Sequence, residues 1–89
     1  MPDWKIEFEP KAVDDLKSLD KPVRKRILQR LEWLGINFSQ VTPLPLSGEW
    51  KGFFKLRVGD WRVVYKIDDD KKILIIAYID SRDKIYKRK

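Results

Sequence analysis

The sequence predicts an α+β domain of order β-α-α-β-β-β, with two N-terminal helices packed on a small, mainly antiparallel four-stranded sheet. Three observations carry this. Apolar residues recur at helical spacing between Ala12 and Leu34. A Gly59-Asp60 pair separates two strand-like runs. An apolar run rich in β-branched residues, Ile73 to Ile79, follows a polar turn. Because the two helices run together between the first strand and the other three instead of alternating with strands, they fall on one face of the sheet.

Trp4-Lys5-Ile6-Glu7-Phe8-Glu9 alternates apolar and polar residues, the mark of a half-buried strand. Pro10 suits the first turn of a helix, and Ala12, Val13, Leu16 and Leu19 carry that helix to about Leu19. Asp20 is a natural N-cap and Pro22 an early helical residue. Val23, Ile27, Leu31 and Leu34 then form one apolar stripe, with Leu28 beside it. Arg24, Lys25, Arg26 and Arg30 lie largely off that stripe, and Gly35 is the expected C-terminal stop. Residues 36–50 lose periodicity, and Pro43, Pro45, Ser47 and Gly48 mark an irregular connection. Phe53 to Val58 and Trp61 to Ile67 read as a hairpin about Gly59-Asp60. Asp68-Asp69-Asp70-Lys71 is a polar turn, and Lys72 to Asp80 a central strand covered on both faces. The tail, Ser81 to Lys89, is short and basic and carries Tyr86.

A chain of 89 residues holds one hydrophobic core and not two, so a single domain over 1–89 is expected. Apolar residues at 43% and aromatics at 12% exclude a disordered chain. There is no cysteine, which rules out disulfides and thiolate metal sites. There is no histidine either, so the commonest metal ligand and the commonest general base are both missing. Any catalysis rests on Lys, Arg, Tyr, Asp or Glu, with no metal and no cofactor expected. Asp68 to Asp70 cap a turn more naturally than they hold a cation. A net charge of +6 fits either an ordinary solvated basic surface or a polyanionic partner, nucleic acid or an acidic protein segment, and where the charge sits decides between them. Met1-Pro2-Asp3-Trp4 lacks the basic and apolar regions of a signal peptide, and Ile73 to Ile79 is too short to span a bilayer. A cytoplasmic protein with no membrane partner is expected.

The hairpin places charge. With a two-residue turn, Val58 faces Trp61, Arg57 faces Arg62, Leu56 faces Val63, Lys55 faces Val64 and Phe54 faces Tyr65. Alternation puts Phe54, Leu56, Val58, Trp61, Val63 and Tyr65 on the core side. The other side carries Phe53, Lys55, Arg57, Arg62, Val64 and Lys66. Two directly opposed arginines cost the sheet roughly 0.2–1 kcal/mol, so an anion site is the economical reason to keep them. The bland alternative is a solvated face whose arginines splay apart or pair with distant carboxylates. Arg82 and Tyr86 join the cluster near Arg62 if the tail folds back along the sheet. Otherwise Tyr86 plugs the sheet edge. Lys87 to Lys89 read as a solvated end.

These residues resemble a known family. Lys55-Leu56-Arg57-Val58-Gly59-Asp60-Trp61-Arg62-Val63-Val64-Tyr65 is similar to the hairpin of RelE/ParE toxins, and Asp80-Ser81-Arg82-Asp83-Lys84-Ile85-Tyr86 to their C-terminal arginine–tyrosine motif. Ile6-Glu7-Phe8, the helix residues Ala12, Leu16 and Leu19, the stretch Pro22 to Leu34 and the approach Pro43-Leu44 to Lys51-Gly52 match as well, so the resemblance covers nearly the whole chain. It implies a microbial-ribonuclease-like fold and a type II toxin that cuts mRNA in the ribosomal decoding site. It also implies a cognate RelB-like antitoxin that wraps the toxin in a hetero-oligomeric complex and masks its basic face. By position, Lys55 becomes a catalytic lysine. Arg62 and Arg82 bind the scissile phosphate, and Tyr86 stacks on or orients the cleaved nucleotide. Arg57 contacts RNA or supports Arg62, and Lys51 and Lys84 become further RNA contacts. The chain departs from the family pattern at Phe53, where active members carry a further lysine, and at Ser81, where many carry histidine.

Such residues suit cleavage by an RNA's own 2′-OH. Arginine forks grip phosphate and stay charged, and preorganised cations stabilise developing charge. Lys55 serves as a base only in its neutral form, which nearby like charges favour; otherwise it adds electrostatic stabilisation. Two further readings stand beside this one. The first is a ParE-like toxin that inhibits DNA gyrase by protein binding. The second is a small basic nucleic-acid-binding module, which needs no phosphate-sized cluster with a tyrosine.

Overall fold

A computed structural model describes residues 3–87. In chain order the elements are β1 (Lys5–Phe8), α1 (Pro10–Lys17), α2 (Lys21–Asn37), β2 (Leu44–Pro45), β3 (Phe54–Val58), β4 (Trp61–Asp68) and β5 (Ile73–Ser81). Short 3-10 turns cover Phe38–Gln40, Gly48–Trp50 and Ile85–Lys87. The sheet has five strands in the order β1-β5-β4-β3-β2. The expectation of four strands is therefore corrected: the extra one is β2, two residues long, inside the stretch read as irregular. Pairing is antiparallel except between β1 and β5, which run parallel. β5 is an interior strand, although β4 holds the centre.

Both helices end in ways the sequence pattern hid. α1 begins at Pro10, as expected, and stops at Lys17. Its end is met by Arg24 of α2, whose Nε donates to the Leu16 oxygen of the last turn at 2.9 Å and Nη2 to the Leu19 oxygen in the connection at 2.9 Å. A side chain expected only to lie off the apolar stripe thus satisfies groups that every helix end leaves open. Asp20 occupies the N-cap of α2 with an extended backbone, but its side chain makes no capping bond. Gly35 is not the stop of α2: the helix runs through it to Asn37. The glycine is there for contact. A Cβ at Gly35 would lie 2.8 Å from the Trp4 carbonyl oxygen, and the Trp4 N–H donates to the Gly35 carbonyl at 3.0 Å. α2 therefore lies against the start of β1, and the absent side chain permits it.

The core lies between the helices and the sheet. Ala12, Ile27, Leu31 and Leu34 from the helices meet Leu56, Val58, Val63, Tyr65, Leu74, Ile76 and Ile79 from the strands. Phe38 links them, with its ring centroid 4.8 Å from Trp4 and 6.3 Å from Tyr65. All six hairpin residues assigned to the core side belong to this cluster or pack against it. A bulge falls in β5 where Val64 pairs with Tyr78 but Tyr65 pairs with Ile76. The Asp15 side chain of α1 accepts the Ile79 N–H beside it at 2.9 Å, tying helix to sheet at the irregularity.

The opposite face is partly covered too. Val64, Ala77 and Ile85 are buried outside the main cluster. The chain between β2 and β3 forms a closed excursion whose neck is the Leu46 N–H donating to the Phe53 carbonyl at 3.0 Å. The tail does not plug the sheet with Tyr86. Ile85 takes that role with no exposed surface, and Tyr86 is 45% exposed beside it. Lys87 is exposed, as expected, and Arg88 and Lys89 lie outside the described residues. No helix of the described residues is long and apolar enough to cross a membrane.

Candidate functional site

The β3–β4 hairpin has the register its sequence predicts, with Arg57 opposite Arg62 and Lys55 opposite Val64. Gly59 supplies the positive φ, +60°, that opens its two-residue turn. β5 extends the outer face, bringing Tyr78 opposite Val64 and Asp80 opposite Arg62. Arg62 thus has a like charge across one ladder and a carboxylate across the other. Its Nη1 donates to the carbonyls of Gly59 and Trp61, both at 2.8 Å. These two bonds fix the guanidinium at the turn. Of the five N–H donors of an arginine, those on Nε and Nη2 remain for an anion.

Arg82 arrives at the same turn. Its backbone N–H donates to the Asp60 carbonyl at 2.9 Å, and its guanidinium lies 4.0 Å from the carboxylates of Asp60 and Asp83. All three side chains are well exposed, so these pairs contribute little and yield readily to a phosphate. The fold therefore brings Arg57, Arg62 and Arg82 to one end of the hairpin.

Tyr86 does not join them at Arg62. It lies beside Lys55, whose Nζ is 5.8 Å from the centre of the tyrosine ring. Lys55 and Arg57 are two residues apart on one strand face, about 7 Å by strand geometry. The predicted site is consequently a row: Tyr86 and Lys55 at one end, the arginines at the other. Lys55 and Tyr86 line an open depression of ≈ 400 Å³ with Pro45, Leu46, Ser47 and Trp50, none of them acidic. Arg57 and Lys55 also border a smaller pocket of ≈ 150 Å³ that reaches Arg30, Leu34 and Tyr65. Burial pushes the Tyr65 phenol up to about 12, so it remains neutral there. Lys51 and Lys84 are exposed and line neither hollow.

Phe53, standing where a lysine was anticipated, belongs to an aromatic group. Its ring meets Trp50 edge-on at 5.6 Å, and Lys66 Nζ lies 5.7 Å from it. Lys66 also pairs with Glu9 at 3.6 Å. Trp50 lines the depression beside Lys55 and Tyr86, and the sequence reading did not single it out. The signal for it is a tryptophan inside a loop otherwise marked by proline, serine and glycine, directly before a lysine. The aspartate turn between β4 and β5 is capped by Asp68, which accepts the Lys71 N–H at 3.1 Å. That is the turn reading of those residues.

Residues 6–86, which include every strand and both helices of this arrangement but the first residue of β1, match the family described as ParE toxin of type II toxin-antitoxin system, parDE. A stretch of 44 residues is 41% identical to Toxin RelG of Mycobacterium tuberculosis, covering 49% of this chain and 51% of that protein. The match thus spans about half the length of that relative. Among solved structures, the chain aligns with the toxin-antitoxin complex RelBE2 of M. tuberculosis at a TM-score of 0.81 and 27% identity, covering 91% of this chain and all of the other. It aligns with a mutant of E. coli toxin RelE in the free state at 0.75 and 18% identity, covering 96% and 90%. The second likeness is one of fold.

Proposed function

This chain belongs to the ParE toxin family of type II toxin–antitoxin systems, and on that premise we propose that it is a ribosome-dependent mRNA endonuclease that arrests translation. One observation supports this above the others. Lys55, Arg57, Arg62 and Arg82 form a row on the outer sheet face that ends at an exposed tyrosine. In the proposed reaction the 2′-OH of one nucleotide attacks the adjacent phosphorus. The O2′–P bond forms, the P–O5′ bond breaks, the departing O5′ takes a proton from solvent, and the products are a 2′,3′-cyclic phosphate and a free 5′-OH. Arg62 holds the phosphate through Nε and Nη2, Arg82 by exchanging its exposed pairs with Asp60 and Asp83 for it, and both stabilise the added negative charge. Lys55 either takes the 2′-OH proton or lowers the cost of its loss electrostatically. Tyr86, above Lys55, orients the attacking nucleotide. Arg57 supports Arg62 or contacts RNA, and Lys51 and Lys84 contact RNA farther out. The scheme needs no metal and no cofactor. Cations spread along a row act best on a strand already held in line, which is what the ribosome supplies.

A RelB-like antitoxin is the proposed partner, since the RelBE2 structure it resembles is a toxin–antitoxin complex. The basic row is the surface such a partner has most reason to cover. The second reading, a toxin that binds DNA gyrase without cutting RNA, draws on the ParE name of the matching family. Primer extension on a reporter mRNA with purified ribosomes separates the two. Codon-spaced cuts support the nuclease; intact mRNA together with DNA breaks on induction supports the gyrase reading. Arg62→Ala should abolish cleavage and growth arrest. A fully toxic Arg62→Ala protein would refute the assigned site.

A further inference from the structure

Trp50 plays no part in the scheme above, yet the chain invests a folded excursion in presenting it. The neck bond between Leu46 and Phe53 is followed by three more backbone bonds inside the loop: Trp50 N–H to Ser47, Lys51 N–H to Gly48 and Phe53 N–H to Trp50. Gly48 and Gly52 supply the positive φ values, +64° and +92°, that let so short a loop close. The indole is then held by two near-perpendicular ring contacts, with Phe53 at 5.6 Å and 83° and Tyr78 at 5.3 Å and 88°. Its orientation is thereby set before any ligand arrives. Part of it lines the ≈ 400 Å³ depression that Tyr86 and Lys55 also line.

We infer that this depression is a nucleobase clamp, in which one base of the RNA stacks on Trp50 on the side of the hollow away from Tyr86 while Lys55 meets the neighbouring phosphate. The inference rests on the nuclease reading and adds a base-stacking residue and a subsite to it. The chemistry favours a base over a protein side chain. Two aromatic side chains, Trp50 and Tyr86, line the hollow together with Lys55, and that lysine would be buried at a cost under an apolar anchor. A base brings its own phosphate to that ammonium, which is the combination that single-stranded nucleic-acid sites use. Pro45 stiffens the adjoining wall, since its ring fixes the backbone. The departure at Phe53 also acquires a role: a lysine there could not hold the indole edge-on.

The test is single-turnover cleavage of ribosome-bound mRNA, with an abasic nucleotide moved in turn through the three positions of the codon in the decoding site. Trp50→Leu should slow cleavage of the intact codon by about tenfold, the size of a lost base stack. One abasic position should slow the unaltered protein by a similar factor and leave Trp50→Leu no slower than before. A merely structural tryptophan would instead multiply with the abasic loss at every position. That result, or a Trp50→Leu protein of normal rate, overturns the clamp while leaving the nuclease reading in place. Absence of cleavage by the unaltered protein overturns both. If Trp50→Leu fails to fold by circular dichroism, Trp50→Phe carries the test: a few-fold loss on the intact codon and none on the abasic one supports the clamp, and equal losses on both refute it.

Discussion

Replacing Gly35 by alanine tests how α2 meets the sheet, and the structure gives the magnitude. In an isolated helix the change stabilises by about 1 kcal/mol, because alanine is the better helix former. Here the new methyl would sit 2.8 Å from the Trp4 carbonyl oxygen, well inside ordinary contact, with two Ile6 side-chain carbons at 3.5 Å. The obstacle is backbone, so helix and strand must separate by several tenths of an ångström. Overpacking of this kind costs about 1–3 kcal/mol. The separation also strains the 3.0 Å bond from the Trp4 N–H to the Gly35 carbonyl, worth about 1 kcal/mol. The net expectation is a loss of about 1–3 kcal/mol. For a domain of this size that lowers Tm by about 5–20 °C. Urea denaturation and calorimetry of the two proteins measure it directly. Gly35→Asn should be at least as harmful, whereas a left-handed helix cap would accept asparagine readily. A Gly35→Ala protein that melts at or above the original would show that the close approach of α2 to β1 is not as described.

Further predictions concern the hairpin and its core face. Leu56→Asp places a charge in the cluster between helices and sheet, and should leave a protein that is insoluble or melts without cooperativity; a soluble, sharply melting variant would contradict the strand facing. Tyr65, raised to about 12 by burial, loses its proton more readily once unfolded, so above pH 10 its ionisation favours the unfolded chain, and the destabilisation grows as pH climbs from there toward 12. At pH 11 the loss attributable to Tyr65 is about 1.4 kcal/mol. Urea titrations at pH 9 and pH 11 should therefore show a smaller drop for Tyr65→Phe than for the unaltered chain, and identical drops would remove burial as the cause. Glu9→Gln breaks the half-exposed pair with Lys66 and should shift stability by no more than about 0.5 kcal/mol in thermal melts; a loss of several kcal/mol would mean that Glu9 does more than pair with a surface lysine.

The parts of this fold written in short-range pattern were open to reading. The hairpin is the clearest case: side chains alternate with a period of two and the turn has two residues, so one choice of turn fixes all five pairs. Arg57 against Arg62 followed from that alone. β2 was not readable, because two residues in a stretch broken by prolines carry no period. Neither was the parallel pairing of β1 with β5, which joins segments far apart in the chain and leaves no local mark. Gly35 shows a different limit. Glycine near the end of an apolar stripe suits both a helix stop and a close packing contact, and only the position of Trp4 decides between them. Arg82 reached the hairpin turn as anticipated, but Tyr86 lay next to Lys55, because Ile85 is the residue that seats in the sheet and its neighbour must point away. Trp50 went unassigned for want of any pattern around it.

The parallel pairing of β1 with β5 has a bearing on how the protein is made. Lys5 finds its partner at Ile73, so the first strand stays without that neighbour until β5 has been made. The β3–β4 hairpin can close much earlier, since its contacts are local. Arg82 and Tyr86 follow β5 directly, so two of the four proposed catalytic groups take their places only once that strand is in the sheet. Seating of Ile85, which is buried and lies between Arg82 and Tyr86 in sequence, thus ties completion of the proposed site to completion of the sheet.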